Sequence, residues 1–189
     1  MQKSGFNPRI LVIGIIILLA ALSRLLPHPA NFTPVGAMAL FGAAYYRKAI
    51  FAFLVPFAAL WISDLLLNNI LLSQFYDGFV WMGNLWVYLG FAIIIVLGRN
   101  TLSKWTPKSL LGVTLTATLL WFLVVNFGVW MGPFSLYGKS LSGLFATYAA
   151  AIPYDLKTLA GNLVYTAVLF GGFEWLKSRI PALQKEYAQ

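Results

Sequence analysis

An all-α integral membrane fold, a bundle of six transmembrane helices, is what this sequence predicts, and three observations predict it. Of 189 residues, 60% are hydrophobic and only 10% are charged. Mean hydropathy is +0.81, well outside the range of soluble globular domains. The apolar residues gather in six stretches, roughly 10–26, 34–46, 49–67, 80–97, 110–130 and 156–176. Five of these approach the about 20 residues that a helix needs to cross hydrocarbon. Threading six spans through a bilayer also places ten of the 13 Lys and Arg residues on one side: Lys3, Arg9, Arg47, Lys48, Arg99, Lys104, Lys108, Lys177, Arg179 and Lys185. Arg24, Lys139 and Lys157 fall on the other side. Short loops rich in Lys and Arg stay cytoplasmic, so both termini are expected there. Residues 1–189 read as a single transmembrane domain.

Each element has a local reason. The first stretch follows Lys3 and Arg9 and resembles a signal peptide in outline, but Arg24-Leu25-Leu26 continues it into a loop and another apolar segment, so it is read as a retained span. Pro27, Pro29 and Pro34 forbid regular helix across 27–34. Thr33 then suits an N-cap with Pro34 at the first helical position. The second stretch is left with about 13 residues, about 20 Å of helix, which is short for a crossing. Irregular backbone at that depth needs protein or a wet cavity around it. Gly36, Ala39 and Ala43 share one face of this segment, with Gly42 beside it. Small residues at that spacing allow close helix packing or a partner's docking groove.

The third stretch carries Pro56 and ends in Trp61-Ile62-Ser63-Asp64, where an acid sits against the unfavourable end of the helix dipole. Pro107 opens the fifth. Beyond Trp130, a loop holding Gly132-Pro133 and Gly138 leads to 141–152, an apolar segment expected to be separate and to lie at the outer surface or over a cavity mouth. Pro153-Tyr154-Asp155 is expected to open the sixth helix, and Pro181 to end it.

Under this topology Arg24, His28, Asp64, Asp77 and Asp155 all lie on the side opposite the basic rim. Asp155, Thr158, Asn162 and Tyr165 fall on one helical face. Arg24, Asn84, Asn126 and Asn162 are placed at similar depth in the outer half. Polar groups inside a membrane are costly and mark substrate or ion paths. Each has a plainer role as well: Asn126 and Asn162 as bridges between helices, Arg24 as a snorkelling cation or the partner of Asp64, and Trp81, Trp86, Trp130 and Tyr154 as an interfacial aromatic belt. There is no phosphate-binding loop of the Gly-rich, Lys-Ser/Thr kind, no His cluster for zinc and no cysteine. No enzyme activity, cofactor, metal or nucleic-acid partner is therefore expected.

The stretch Leu26-Pro27-His28-Pro29-Ala30-Asn31-Phe32-Thr33-Pro34-Val35-Gly36-Ala37, with Ser63-Asp64, Asn126-Phe127-Gly128-Val129-Trp130 and Ala151-Ile152-Pro153-Tyr154, resembles an uncharacterised bacterial family of six-helix membrane proteins assigned to transport. More distantly the chain resembles the S components, the substrate-binding subunits of energy-coupling-factor (ECF) vitamin transporters. That resemblance implies a six-helix fold with cytoplasmic termini in the bacterial inner membrane and a pocket near the outer face. Loops 27–33, 68–79 and 131–140 would close over it. It also implies a coupling subunit with two ATPases, against which the bundle topples. The Ala-x-x-x-Ala contact that many S components carry on the first helix occurs here instead at Ala39/Ala43 and Ala146/Ala150.

The expectation is therefore a multi-pass membrane transport protein that binds a small organic, vitamin-like nutrient from the outer side, with a non-transporting scaffold as the alternative. The expected lining is Arg24, His28, Asn31, Asp64, Asn84, Asn126, Asp155 and Asn162, with Trp81, Trp130 and Tyr154 stacking on the ligand.

Overall fold

The computed structural model describes residues 8–133 and 135–184. Lys3, Lys185 and position 134 of the loop 131–140 lie outside them. Among the described residues the elements are helical: α1 (Pro8–Leu22), α2 (Val35–Tyr45), α3 (Ala49–Leu66), α4 (Leu85–Thr101), α5 (Pro107–Met131), α6 (Leu141–Arg179) and α7 (Pro181–Gln184), and no strand occurs. A 3₁₀ turn (Ser23–Leu25) extends α1, and a π-turn (Leu67–Leu71) extends α3. Four stretches are long and apolar enough to cross a membrane: Pro8–Leu25, Ala49–Leu71, Pro107–Met131 and Leu141–Arg179. This is the pattern of a multi-pass membrane protein. The apolar helices α2 and α4 are shorter.

The short α2 is the axis of the molecule. Ten of its 11 residues are buried, as expected for a helix that is apolar on every side. The other helices stand around it in the order α1, α3, α4, α5 and α6, each touching α2 and its neighbour. Between α6 and α1 the ring is closed by α7, whose Leu183 is buried. Pro181 thus starts a further turn of helix where the sequence suggested only a stop. The described chain begins and ends at the same end of the bundle. Leu111, Leu115, Leu119 and Leu123 on α5, like Leu11, Ile15 and Leu19 on α1, are exposed at four-residue spacing. They form outward apolar stripes that hydrocarbon would cover.

Packing around α2 depends on small residues meeting rigid ones. Gly42 faces the ring of Pro56 so closely that a Cβ there would overlap Pro56 Cγ. Gly36 faces the amide of Asn162, with an added Cβ only 2.6 Å from Oδ1. Gly36, Ala39 and Ala43 are all buried, so the small-residue face expected as a possible docking groove is filled by the chain's own helices.

One element departs from expectation. The segment 141–152 is not separate; it is the first third of α6, a continuous helix of 39 residues that passes through Pro153. Pro153 removes one backbone bond, to the carbonyl four residues earlier. Ala149-Ala150-Ala151 ahead of it strongly favour helix, and apolar helices tolerate such a break where neighbours compensate. Ser140 caps the start by accepting from the Gly143 N–H at 3.1 Å. At 1.5 Å per residue α6 runs about 58 Å, and the Tyr148 hydroxyl in its second turn donates to the Leu123 carbonyl of α5 at 2.7 Å.

Candidate functional site

A cavity of about 600 Å³ opens at the end of the bundle opposite the basic rim, between α4, α5 and α6. Its polar lining includes Arg24, Asn31, Asn126, Tyr154, Asp155 and Thr158. Val87, Val125, Val129 and Leu136 make an apolar wall, joined by Trp121 and Tyr137. A hollow of this size with a few placed polar groups is the usual form of a small-molecule site.

Arg24 enters from the 3₁₀ turn that ends α1. Its Nη1 donates to Ser63 Oγ at 2.6 Å and to Asp64 Oδ1 at 2.7 Å. The other oxygen of Asp64 accepts from the Tyr88 hydroxyl at 2.8 Å. Asp64 thus lies behind the cavity wall, and its position at the end of a helix is explained by the cation it holds. Asn31 reaches the cavity from loop 27–33, where its φ of +66° is one that Asn adopts more readily than most residues. That loop is seated on α6. Gly161 lets the backbone of Phe32 and Thr33 approach, an added Cβ falling 2.9 Å from Thr33 N. The Phe32 ring packs on Tyr165 with centroids 5.9 Å apart, and the Tyr165 and Ser23 hydroxyls lie 3.1 Å apart.

Across the cavity, Asn126 Nδ2 donates to Asp155 Oδ2 at 3.1 Å and to the Phe122 carbonyl at 2.8 Å. Thr147, Ala151, Asp155 and Thr158 follow one another at intervals of four, four and three along α6, and all four line the hollow. That spacing is one helical face.

Six expected residues lie elsewhere. His28 is exposed, with Nδ1 2.6 Å from the Leu26 carbonyl oxygen. Asp64 is the buried partner of Arg24. Trp81 is 70% exposed, and its carbonyl accepts from Trp61 Nε1 at 2.8 Å. Asn84 caps α4 by accepting from the Trp86 N–H at 2.9 Å. Trp130 packs against Phe127, centroids 5.5 Å apart, with a buried Nε1 that has no hydrogen-bond partner among the described residues. Asn162 donates to Thr118 Oγ1 at 2.9 Å between α5 and α6, one turn beyond the last lining residue.

Nor does loop 68–79 reach the cavity. Asn69 clamps it to α3, donating to the Leu65 and Val80 carbonyls at 2.9 Å and accepting from the Val80 N–H at 2.8 Å. Of the three loops expected to close the pocket, residues of 27–33 and 131–140 take part. Thr147, Ala150 and Ala151 were missed because 141–152 was read as a separate segment. Continuing the face of Asp155 and Thr158 backwards through Pro153 would have found Ala151 and Thr147.

A family model described as "Family of unknown function (DUF6580)" matches residues 4–183, nearly the whole sequence. The chain belongs to this family. No curated protein and no solved structure matches it. The four stretches long and apolar enough to cross a membrane give the chain the architecture of a multi-pass membrane protein.

Proposed function

We propose that this chain is a membrane transport protein, similar in kind to an ECF S component, that binds a small organic nutrient from the outer side of a bacterial inner membrane. The observation that carries this reading is the hollow of about 600 Å³ that brings Arg24, Asn31, Asn126, Tyr154 and Asp155 together. Polar groups in an apolar bundle normally satisfy one another; here Asn126 and Asp155 share one hydrogen bond and, with Asn31, border open space. The position of the hollow at the end away from the Lys and Arg loops supports entry from outside, since those loops favour the cytoplasm.

Uptake needs a source of energy, and the chain has no nucleotide-binding motif. A coupling subunit with its ATPases would supply it, or the solute would run down its gradient. The scaffold alternative gains nothing from α2, whose small residues are already covered. Native mass spectrometry of gently purified protein is expected to reveal a co-bound small molecule. Uptake of that molecule should fall to background in cells carrying Asn126→Leu/Tyr154→Ala, both on the cavity wall. Undiminished uptake by a well-expressed double variant would count against the cavity as the transport site.

A further inference from the structure

We infer that the cavity takes a small organic cation, a protonated amine or similar charged nitrogen held at Asp155. The inference rests on the reading of the hollow as a binding site and specifies its ligand. The charges around the hollow carry it. Two charged side chains line it, Arg24 and Asp155. Arg24 is already matched inside the protein by Asp64 at 2.7 Å, whose second oxygen is taken by Tyr88. Among the described residues Asp155 receives only the neutral amide of Asn126, at 3.1 Å and on one oxygen.

No described cation lies within ion-pair distance of Asp155. Lys139 is engaged with the Trp130 and Gly132 carbonyls. Lys157 is two residues further along α6, about 200° around the helix, and so points away from the face that lines the cavity. The hollow therefore holds one carboxyl group without a charged counterpart among the described residues. A carboxylate walled by apolar side chains is costly until a cation meets it.

The neighbouring groups suit the same ligand. Asp155 Oδ1 and Asn126 Oδ1 take no hydrogen bond from the described protein, which leaves one acceptor on each side chain. An ammonium group has only donors to offer. Trp121, Tyr137 and Tyr154 line the same space, and aromatic faces attract organic cations within about 6 Å. An anion would meet Asp155 and an already neutralised Arg24. A neutral molecule would leave the carboxylate unmatched.

Three probes with a common aromatic body test this on the purified full-length chain: 2-phenylethylamine, 2-phenylethanol and 3-phenylpropionate. Each is titrated while the melting temperature is followed. The amine is expected to raise Tm and the other two to leave it nearly unchanged. Asp155→Asn, which keeps the size and the Asn126 contact, should weaken amine binding by about tenfold or more. Should that variant not fold, the ranking of the probes on the unaltered protein still decides.

A larger shift with 3-phenylpropionate or 2-phenylethanol than with the amine overturns the inference and leaves a binding cavity of another preference. Equal amine binding by Asp155→Asn also overturns it. No shift with any probe overturns it too, and native mass spectrometry of the same preparation then separates the cases. A co-purified neutral or anionic molecule preserves the binding site, whereas no co-purified molecule brings down both readings.

Discussion

The two ends of this bundle handle polar groups in opposite ways. At the end where α1 begins and α6 finishes, they saturate one another. Glu174 accepts from Tyr45 at 2.7 Å and from Lys177 at 2.9 Å. Arg99 donates to the Tyr46 and Arg47 carbonyls at 3.0 Å, placing a cation at the C-terminus of α2 where the dipole favours it. Phe41, Tyr45, Phe170, Phe173 and Trp105 fill the space beneath with ring-to-ring contacts. At the opposite end Asn126 and Asp155 share a single hydrogen bond at 3.1 Å and, with Asn31, border a hollow. Close packing is the ordinary state of a protein interior. The open end is therefore the exception, and the proposed ligand would fill it.

Substitutions that act differently at the two ends can break or sharpen this contrast. The largest effect is expected from Asp64→Leu. The side chains of Arg24 and Asp64 are only 13% and 9% exposed, and removing one partner of a buried pair costs about 3–5 kcal/mol. Glu174→Gln at the closed end should stay within about 1 kcal/mol, since the Lys177 and Glu174 side chains are 26% and 38% exposed. Unfolding of the two variants in detergent measures both, and equal losses would erase the distinction.

Next comes enlargement of small residues. Gly42→Leu must displace Pro56 and should cost about 1–3 kcal/mol. Ala150→Leu projects from the cavity wall, so its stability should change by less than about 0.5 kcal/mol while ligand binding weakens. A smaller effect is expected at Asn162. Its Nδ2 bonds Thr118, but its buried Oδ1 has no partner among the described residues. Asn162→Leu should therefore lie within about 1 kcal/mol of the parent, with ligand binding retained. Loss of binding in that variant would extend the site a turn deeper than the hollow.

Much of this arrangement could be read from the residues alone. Hydropathy located the helices, and three prolines in 27–34 made α2 short. The placement of Arg24, Asn31, Asn126, Tyr154 and Asp155 at one end followed from span counting. Sequence order could not say which of the polar residues would find partners within the chain. Asp64 was absorbed by Arg24 and Tyr88, contacts between residues 24 to 40 positions apart. Asn84 was absorbed by its own helix start, and Asn69 clamped a loop expected over the pocket. Trp81 and Trp130 were equally ambiguous, because an aromatic near a helix end serves a belt, a core or a ligand with the same sequence signature. Pro153 misled for a definite reason: a proline predicts a boundary from local cost, while the Ala-rich turn before it and packing on α5 outweighed that cost.

The chain's lack of cysteine makes the central claim, an outward-opening hollow opposite the basic rim, directly measurable. Ala150→Cys lines the cavity, and Ser103→Cys is exposed between α4 and α5 at the other end. A membrane-impermeant maleimide applied to intact cells is expected to label Ala150→Cys and to reach Ser103→Cys only after permeabilisation. Labelling in the reverse order, or no labelling of Ala150→Cys from either side, would contradict the account.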